Sequence, residues 1–449
     1  MLNLSMLILY LFFYIFDVNT KICRMRKIVL IFCFFMSGLS VFSETNKKSG
    51  LTFGALPAIS YDSDLGFQYG ALINFYLYGN AARFPNYDHS LYLELSTYTK
   101  GTTIARVRYD SEKLIPKVRT TFDISYVTDQ MSDFYGFNGF QSVYNPSLVT
   151  SSNRLFYKNE KNMFRAKADF QGYFGESKFG WIAGYSFYHF AVDTVNNRKL
   201  NIDKTGETLY EKYKNWGLIN AEEALGGSIN YFKAGLKYDS RDQLACPTKG
   251  VFTEAVIQTA PKFVNRTFPH TKLAIIHRQY FTLAKDLMFA YRLDYQMSLG
   301  NSHVPYYAQP LLITSYLTAA TNQGLGGKTS IRGILRNRVI GDNVGFGNFE
   351  FRYKFLHFEF MKQSFYLGSN VFFDTGLILK AVDMNLTNLS LADRNTYFKD
   401  YASGQFHSAA GLGLKIGWNE NFVISADFGK AFDKQDGEKG FYLGLNYLF

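Results

Sequence analysis

Asn348-Phe349-Glu350-Phe351-Arg352-Tyr353-Lys354-Phe355 alternates polar and aromatic side chains without a break. In an extended strand successive side chains point to opposite faces, so this octet carries Asn, Glu, Arg and Lys on one face and only aromatics on the other. A strand with aromatics opposite four strongly polar groups suits a wall between lipid outside and a polar lumen inside. Just upstream runs Gly326-Gly327-Lys328-Thr329-Ser330-Ile331-Arg332-Gly333-Ile334, within a strand-poor interval at roughly 300–343. A loop with one Arg, set beside a wall whose inner face bears carboxylates, is the constellation the sequence offers.

Composition agrees with a wall of strands. Mean hydropathy is only −0.12, yet aromatics make up 18% of the 449 residues. Beyond residue 43 no apolar run reaches the ~18 residues that a helical span needs. Aromatic richness without long apolar runs is the pattern of a spanning barrel. A soluble sandwich or propeller is the competing reading, and neither needs this much Phe facing outward.

The chain opens on two apolar stretches, 6–16 and 28–42, the second preceded by Arg24, Arg26 and Lys27. A basic start, an apolar middle and Val41-Phe42-Ser43 before Glu44 are the parts of a secretory leader cut after Ser43. Met25 is its natural start, which makes residues 1–24 an upstream extension; the alternative is an N-terminal anchor over 6–42. Cys23 and Cys33 fall in this leader, so Cys246 is left without an internal disulfide partner. Residues 44–50 are expected to be a short periplasmic segment, and 51–449 one barrel domain. Net charge is +11, of which the leader carries +3 and the remainder +8. That excess favours anionic lipid headgroups or a solvated surface; no Lys/Arg run argues for nucleic acid.

Sixteen strands are expected, at 51–61, 65–78, 91–99, 103–109, 118–127, 164–174, 178–192, 229–239, 251–259, 272–283, 287–299, 344–355, 365–377, 407–418, 422–432 and 440–449. An even count suits a closed antiparallel barrel. With the first strand running outward, the third, fourth, sixth and seventh outer connections are long and the inner ones mostly short, another barrel property. Along 365–376, Tyr366, Gly368, Asn370, Phe372, Asp374 and Gly376 share one face, and Leu367, Val371 and Phe373 the other. In the last strand the alternation predicts Phe441, Leu443, Leu445, Tyr447 and Phe449 toward lipid, with Phe449 as an outward-facing C-terminal signal, and Tyr442, Gly444 and Asn446 inside.

Four motifs then resemble the BamA/TamA superfamily of outer-membrane assembly and secretion barrels, also called bacterial surface antigens. Ile331-Arg332-Gly333-Ile334 resembles that family's Val-Arg-Gly-aromatic loop tip, with Ile in place of the aromatic. Asn348-Phe349-Glu350 with Arg352 is similar to its Asn-x-Glu-x-Arg strand. Phe372-Phe373-Asp374-Thr375-Gly376 matches its Phe-x-Asp-x-Gly strand. Asp239-Ser240-Arg241-Asp242 with Pro247 and Gly250 is similar to its Asp-x-Arg-Asp…Pro-x-x-Gly segment. The resemblance implies an all-β, 16-stranded antiparallel transmembrane barrel in the outer membrane, whose sixth outer loop folds inward and pairs its Arg with acidic wall residues. The residue chemistry independently favours a cluster of Arg332 with Glu350 and Asp374, because a guanidinium in a narrow lumen needs planar bidentate acceptors. Members of this family that insert or secrete proteins carry periplasmic POTRA modules before the barrel; residues 44–50 have no room for one, so the chain resembles the POTRA-less members.

The leading functional reading is a monomeric assembly-type barrel in contact with outer-membrane lipid, taking unfolded outer-membrane proteins or lipids as cargo through a weak seam between strands one and sixteen. Gly440 and Gly444 would weaken that closure. The second reading is a passive diffusion channel constricted by the inward loop. An enzyme barrel is the third. The seven His residues, at 89, 189, 270, 277, 303, 357 and 407, form no nucleophile–base grouping and no metal spacing, so no catalytic residue, metal or cofactor is expected.

Overall fold

The computed structural model describes residues 49–449, apart from 85, 201, 204, 205, 245, 316–323, 361–362, 401–403 and 419–421. The expected leader lies outside these residues. The first strand, β1, is in two pieces, Leu51–Pro57 and Ser60–Asp62. Both pair with β2, Gly66–Leu77. Pro57 ends the first piece because proline has no N–H for a ladder.

The chain then runs through β3 (His89–Tyr98), β4 (Thr102–Ile115), β5 (Val118–Asp133), β6 (Lys158–Tyr173), β7 (Phe179–Asp193) and β8 (Gly226–Asp239). It continues through β9 (Gly250–Ala260), β10 (His270–Ala284), β11 (Leu287–Leu299), β12 (Asn343–Phe360) and β13 (Gln363–Lys380). The last three are β14 (Phe406–Trp418), β15 (Phe422–Ala431) and β16 (Lys439–Leu445). Each pairs antiparallel with the next, and β16 returns to β1, closing a sixteen-stranded ring.

Side-chain alternation builds the wall. In β12, Asn348, Glu350 and Arg352 are buried, while Phe351, at 52% exposed, and Tyr353 are on the outside. Val371 in β13 and Leu412 in β14 are 55% and 63% exposed. This outward apolar belt and buried ionic face invert a soluble protein's arrangement, as a bilayer dictates. Neighbouring outward rings support one another: the Phe289 and Phe351 centroids lie 4.9 Å apart across the β11–β12 pair.

Several strands are longer than the alternation predicts. β5 runs to Asp133 and β6 begins at Lys158, so the polar stretch expected from 128 is ladder at both ends. Four long connections, 134–157, 194–225, 300–342 and 381–405, all emerge at one end of the ring. They are not bare loops. Among the described residues two short α-helices form within them, α1 (Leu209–Asn215), started by a Thr208–Glu211 capping box, and α2 (Leu391–Tyr397), capped by Ser390. Phe137, Phe156, Tyr210, Tyr213, Tyr307 and Phe398 pack into one buried aromatic cluster that joins all four. Arg338 ties them further, donating to the carbonyl oxygens of Gly139 (2.9 Å) and Ser142 (3.0 Å). The result is a cap with its own hydrophobic core.

The C-terminal strand corrects an expectation. β16 stops at Leu445, and Asn446 adopts a left-handed φ of 65°. That turn reverses the alternation. Tyr447 packs against Cys246, Tyr366 and Val423, and Phe449 is buried with Tyr280, Met288 and Ala290. Neither faces lipid, so Phe449 is not the outward-facing terminal signal expected of it. The physical reason is Arg352, whose guanidinium donates to the Phe449 carbonyl oxygen (2.9 Å) and lies over the rings of Tyr447 (4.3 Å) and Phe449 (4.9 Å).

Candidate functional site

The interval 300–342 approaches the wall at Ser330–Gly333. The Ser330 carbonyl accepts from Asn348 Nδ2 (2.6 Å), whose Oδ1 in turn accepts from Arg292 Nε (2.8 Å). Gly333 has a φ of 100°, and a Cβ there would lie 2.7 Å from the Gly429 carbonyl carbon. A Cβ on Gly429 would lie 2.6 Å from the Arg332 carbonyl oxygen. Two glycines thus let the interval's backbone touch that of β15. Gly376 does the same for a side chain: a Cβ there would meet Ile331 Cδ1 at 2.7 Å.

These contacts aim Arg332 at three strands. Its Nε and Nη2 reach Asp374 Oδ2 (2.9 Å) and Oδ1 (3.1 Å) in a bidentate fork, and its own backbone N–H donates to Asp374 Oδ2 (3.0 Å). Nη2 lies 2.7 Å from Glu350 Oε1, and Nη1 reaches Asp427 Oδ2 at 3.4 Å. The Phe372 ring stacks under the guanidinium at 3.6 Å. Arg332, Glu350 and Asp374 are all buried, a tolerable arrangement only because the charges are paired and hydrogen-bonded. Arg352 Nε (2.7 Å) shares Glu350, and Lys415 Nζ (2.7 Å) shares Asp427.

The structure therefore brings together Arg332, Gly333, Asn348, Glu350, Arg352, Phe372, Asp374 and Gly376. Asp427 and Lys415 complete the set, and sequence reasoning missed both. Ile424-Ser425-Ala426-Asp427 alternates like the octet, so the signal for an inward Asp was there.

The remaining motif stands apart. Asp239 takes Arg241 in a fork of its own (2.9 and 2.8 Å). Asp242 accepts from the N–H (2.9 Å) and Oγ1 (2.6 Å) of Thr248. Pro247 is buried beside Cys246, and Gly250 re-enters the ladder with φ 103°. These residues stitch the 240–249 turn rather than the Arg332 cluster.

A second ionic group links the interval to β5. Arg336 reaches Asp129 (2.9 Å) and Asp133 (3.0 Å), and Lys158 also pairs with Asp133. In the cap, His303 Nε2 lies 3.0 Å from the buried Glu223 carboxylate, which also accepts the Tyr306 N–H (2.7 Å). The Glu223 hydrogen bond raises the His303 pKa above its ordinary value. A raised folded pKa adds stability below the unfolded pKa and loses it as pH rises through the folded one. Amides of 194–225 and 300–315 are thus expected to exchange faster at pH 8.5 than at pH 6, beyond the intrinsic pH effect; His303→Gln removes that difference.

The Omp85 superfamily domain matches residues 81–449, leaving β1 and β2 outside the match. No curated protein matches the chain in sequence. Among solved structures the chain is similar to BamA from Haemophilus ducreyi lacking POTRA domains 1-3, with 15% identity, a TM-score of 0.53, and coverage of 89% of this chain and 70% of that one. It is also similar to CdiB from Escherichia coli, with 9% identity, a TM-score of 0.50, and coverage of 89% and 63%, under two thirds of that protein's length. At these identities the likeness is one of fold.

Proposed function

The chain belongs to the Omp85 superfamily, and from that premise we propose that it is a non-enzymatic outer-membrane barrel that opens its β1–β16 seam to admit outer-membrane proteins or lipids into the bilayer. The observation that carries this reading is the weakness of the seam. β15 and β16 pair over seven residues, whereas β16 and β1 pair over two, Tyr442 with Asp62 and Leu443 with Tyr61. Among the described residues, Leu51–Pro57 has one registered partner, β2. Its side chains are open to the outside, Leu51 at 69% and Phe53 at 73%. An unpaired edge presents free N–H and C=O groups, a template for a further strand. In lipid such groups cost several kcal/mol each when unsatisfied, which favours capture of a partner strand.

The interior argues against the channel reading. We infer that the segment 324–342 folds back along the inside of the ring, held there by Arg332 and Arg336. The aromatic cap stands over one end. At the other, Tyr447 and Phe449 lie across to β10–β13. A passive pore needs a clear lumen.

Cross-linking tests the seam. In the Tyr61→Cys/Leu443→Cys double variant, oxidation joins two register partners while Cys246 stays buried. Outer-membrane protein and surface-lipid levels are followed in cells depleted of the native chain. Oxidised variant failing to rescue, with rescue restored by reductant, is the expected outcome. Rescue by the oxidised form would remove the seam from the mechanism.

A further inference from the structure

The connection 261–269 between β9 and β10 carries an apolar tip flanked by cations: Lys262-Phe263-Val264-Asn265-Arg266. Phe263 is 77% exposed, and Val264, Lys262 and Arg266 are exposed with it. The segment is built rather than slack. Asn265 is buried; its Oδ1 accepts the Asn230 N–H (2.8 Å) and its Nδ2 donates to the Asn230 carbonyl (2.8 Å). Its backbone N–H and that of Val264 close a turn on the Pro261 carbonyl (3.0 and 3.2 Å). This pair of hydrogen bonds to β8 holds the tip against the outer wall. There the Phe263 ring lies 6.1 Å from Phe232, which lies 5.4 Å from Tyr185. Phe232 and Tyr185 belong to the outward face, and Tyr185 Oη donates to Asn230 Oδ1 (2.6 Å) at the point where that face turns polar. Phe263 therefore extends the outward aromatic band at its upper edge. Neither Lys262 nor Arg266 has an ion-pair partner among the described residues.

We infer that this segment is a lipid clasp: Phe263 inserts at the acyl boundary while Lys262 and Arg266 hold the phosphate of an anionic lipid headgroup in the leaflet facing the cap. Exposed aromatics at the interface and cations at headgroup level are the elements that anchor proteins there. Continuity with the outward band fixes the depth, and the two unpaired cations supply the charge complement. The inference rests on the barrel reading but not on the seam.

The test adds a tryptophan, Phe263→Trp, to the full chain in liposomes. Its fluorescence is read as the difference from the parent, which has three Trp. Quenching by brominated phosphatidylglycerol is compared with quenching by brominated phosphatidylcholine at equal mole fraction. With both cations drawing anionic headgroups to the tip, phosphatidylglycerol should quench at least about twofold better. That preference should vanish when Lys262→Gln and Arg266→Gln are added. Equal quenching with both cations present, or a preference that survives their removal, overturns the clasp. So does no quenching by either lipid in protein whose gel migration remains heat-modifiable, an outcome that leaves the barrel reading intact.

Discussion

Arg332→Ala is expected to cost the folded barrel about 3–5 kcal/mol, the usual penalty for removing one partner of a buried ionic group. Three carboxylates, on Glu350, Asp374 and Asp427, converge on this guanidinium. Lys415 and Arg352 remain to serve Asp427 and Glu350, but Asp374 keeps no other ion-pair partner among the described residues. Loss should therefore concentrate at Asp374. Urea denaturation in detergent micelles gives the magnitude, and limited proteolysis of 300–342 shows whether the interval has left the wall. Arg332→Lys should recover only a fraction, because an ammonium cannot reproduce the fork on Asp374 or the flat stack on Phe372. Adding Asp374→Asn to Arg332→Ala should restore part of the stability by deleting the stranded charge. Full stability of Arg332→Ala with an intact interval would contradict this account of the cluster.

Gly333→Val is the second large effect. A φ of 100° disfavours any side chain, at about 1–3 kcal/mol. Beyond strain, its Cβ would press on the Gly429 backbone at 2.7 Å, and overpacking of this kind costs about 1–3 kcal/mol more. The interval must lift off β15, carrying Arg332 with it. Gly429→Ala attacks the same approach from the other side, its Cβ meeting the Arg332 carbonyl oxygen at 2.6 Å. The two substitutions should be non-additive, the double variant losing little more than the worse single one, since either alone breaks the contact. Additive losses in urea midpoint would mean that the glycines act separately.

Much of this is legible in the sequence. Period-two alternation set the octet 348–355 and the stretch 365–376 on their correct faces, because a closed wall between lipid and ions leaves each residue only two environments. The even strand count followed from turn chemistry. Strand ends were harder to read: Asp129, Asp133, Lys158 and Glu160 look like loop by composition, yet their charges are paired inside the ladder, to the 300–342 interval or, for Glu160, to Lys199 of the 194–225 connection. The Arg332–Glu350–Asp374 grouping was foreseeable from charge type and face. Asp427 was legible as inward but not as a partner of Arg332, because alternation along one strand does not say which residue of a distant interval will meet it. The tail was misread for a physical reason: Tyr447 and Phe449 continue the alternation in sequence, and nothing local announces that Asn446 turns left-handed or that Arg352 waits opposite. Long-range cation–π capture leaves no periodic trace.

Uneven closure of the ring is the central claim, and backbone amide exchange in bilayer-embedded protein reads it directly. If the account holds, peptides from 51–62 and 439–449 exchange far faster than those of β12 and β13, each of which has ten or more registered pairs on either side. Protection of the first and last strands equal to that of β12 and β13 would mean a uniformly sealed cylinder, and the seam could not be where cargo enters the membrane.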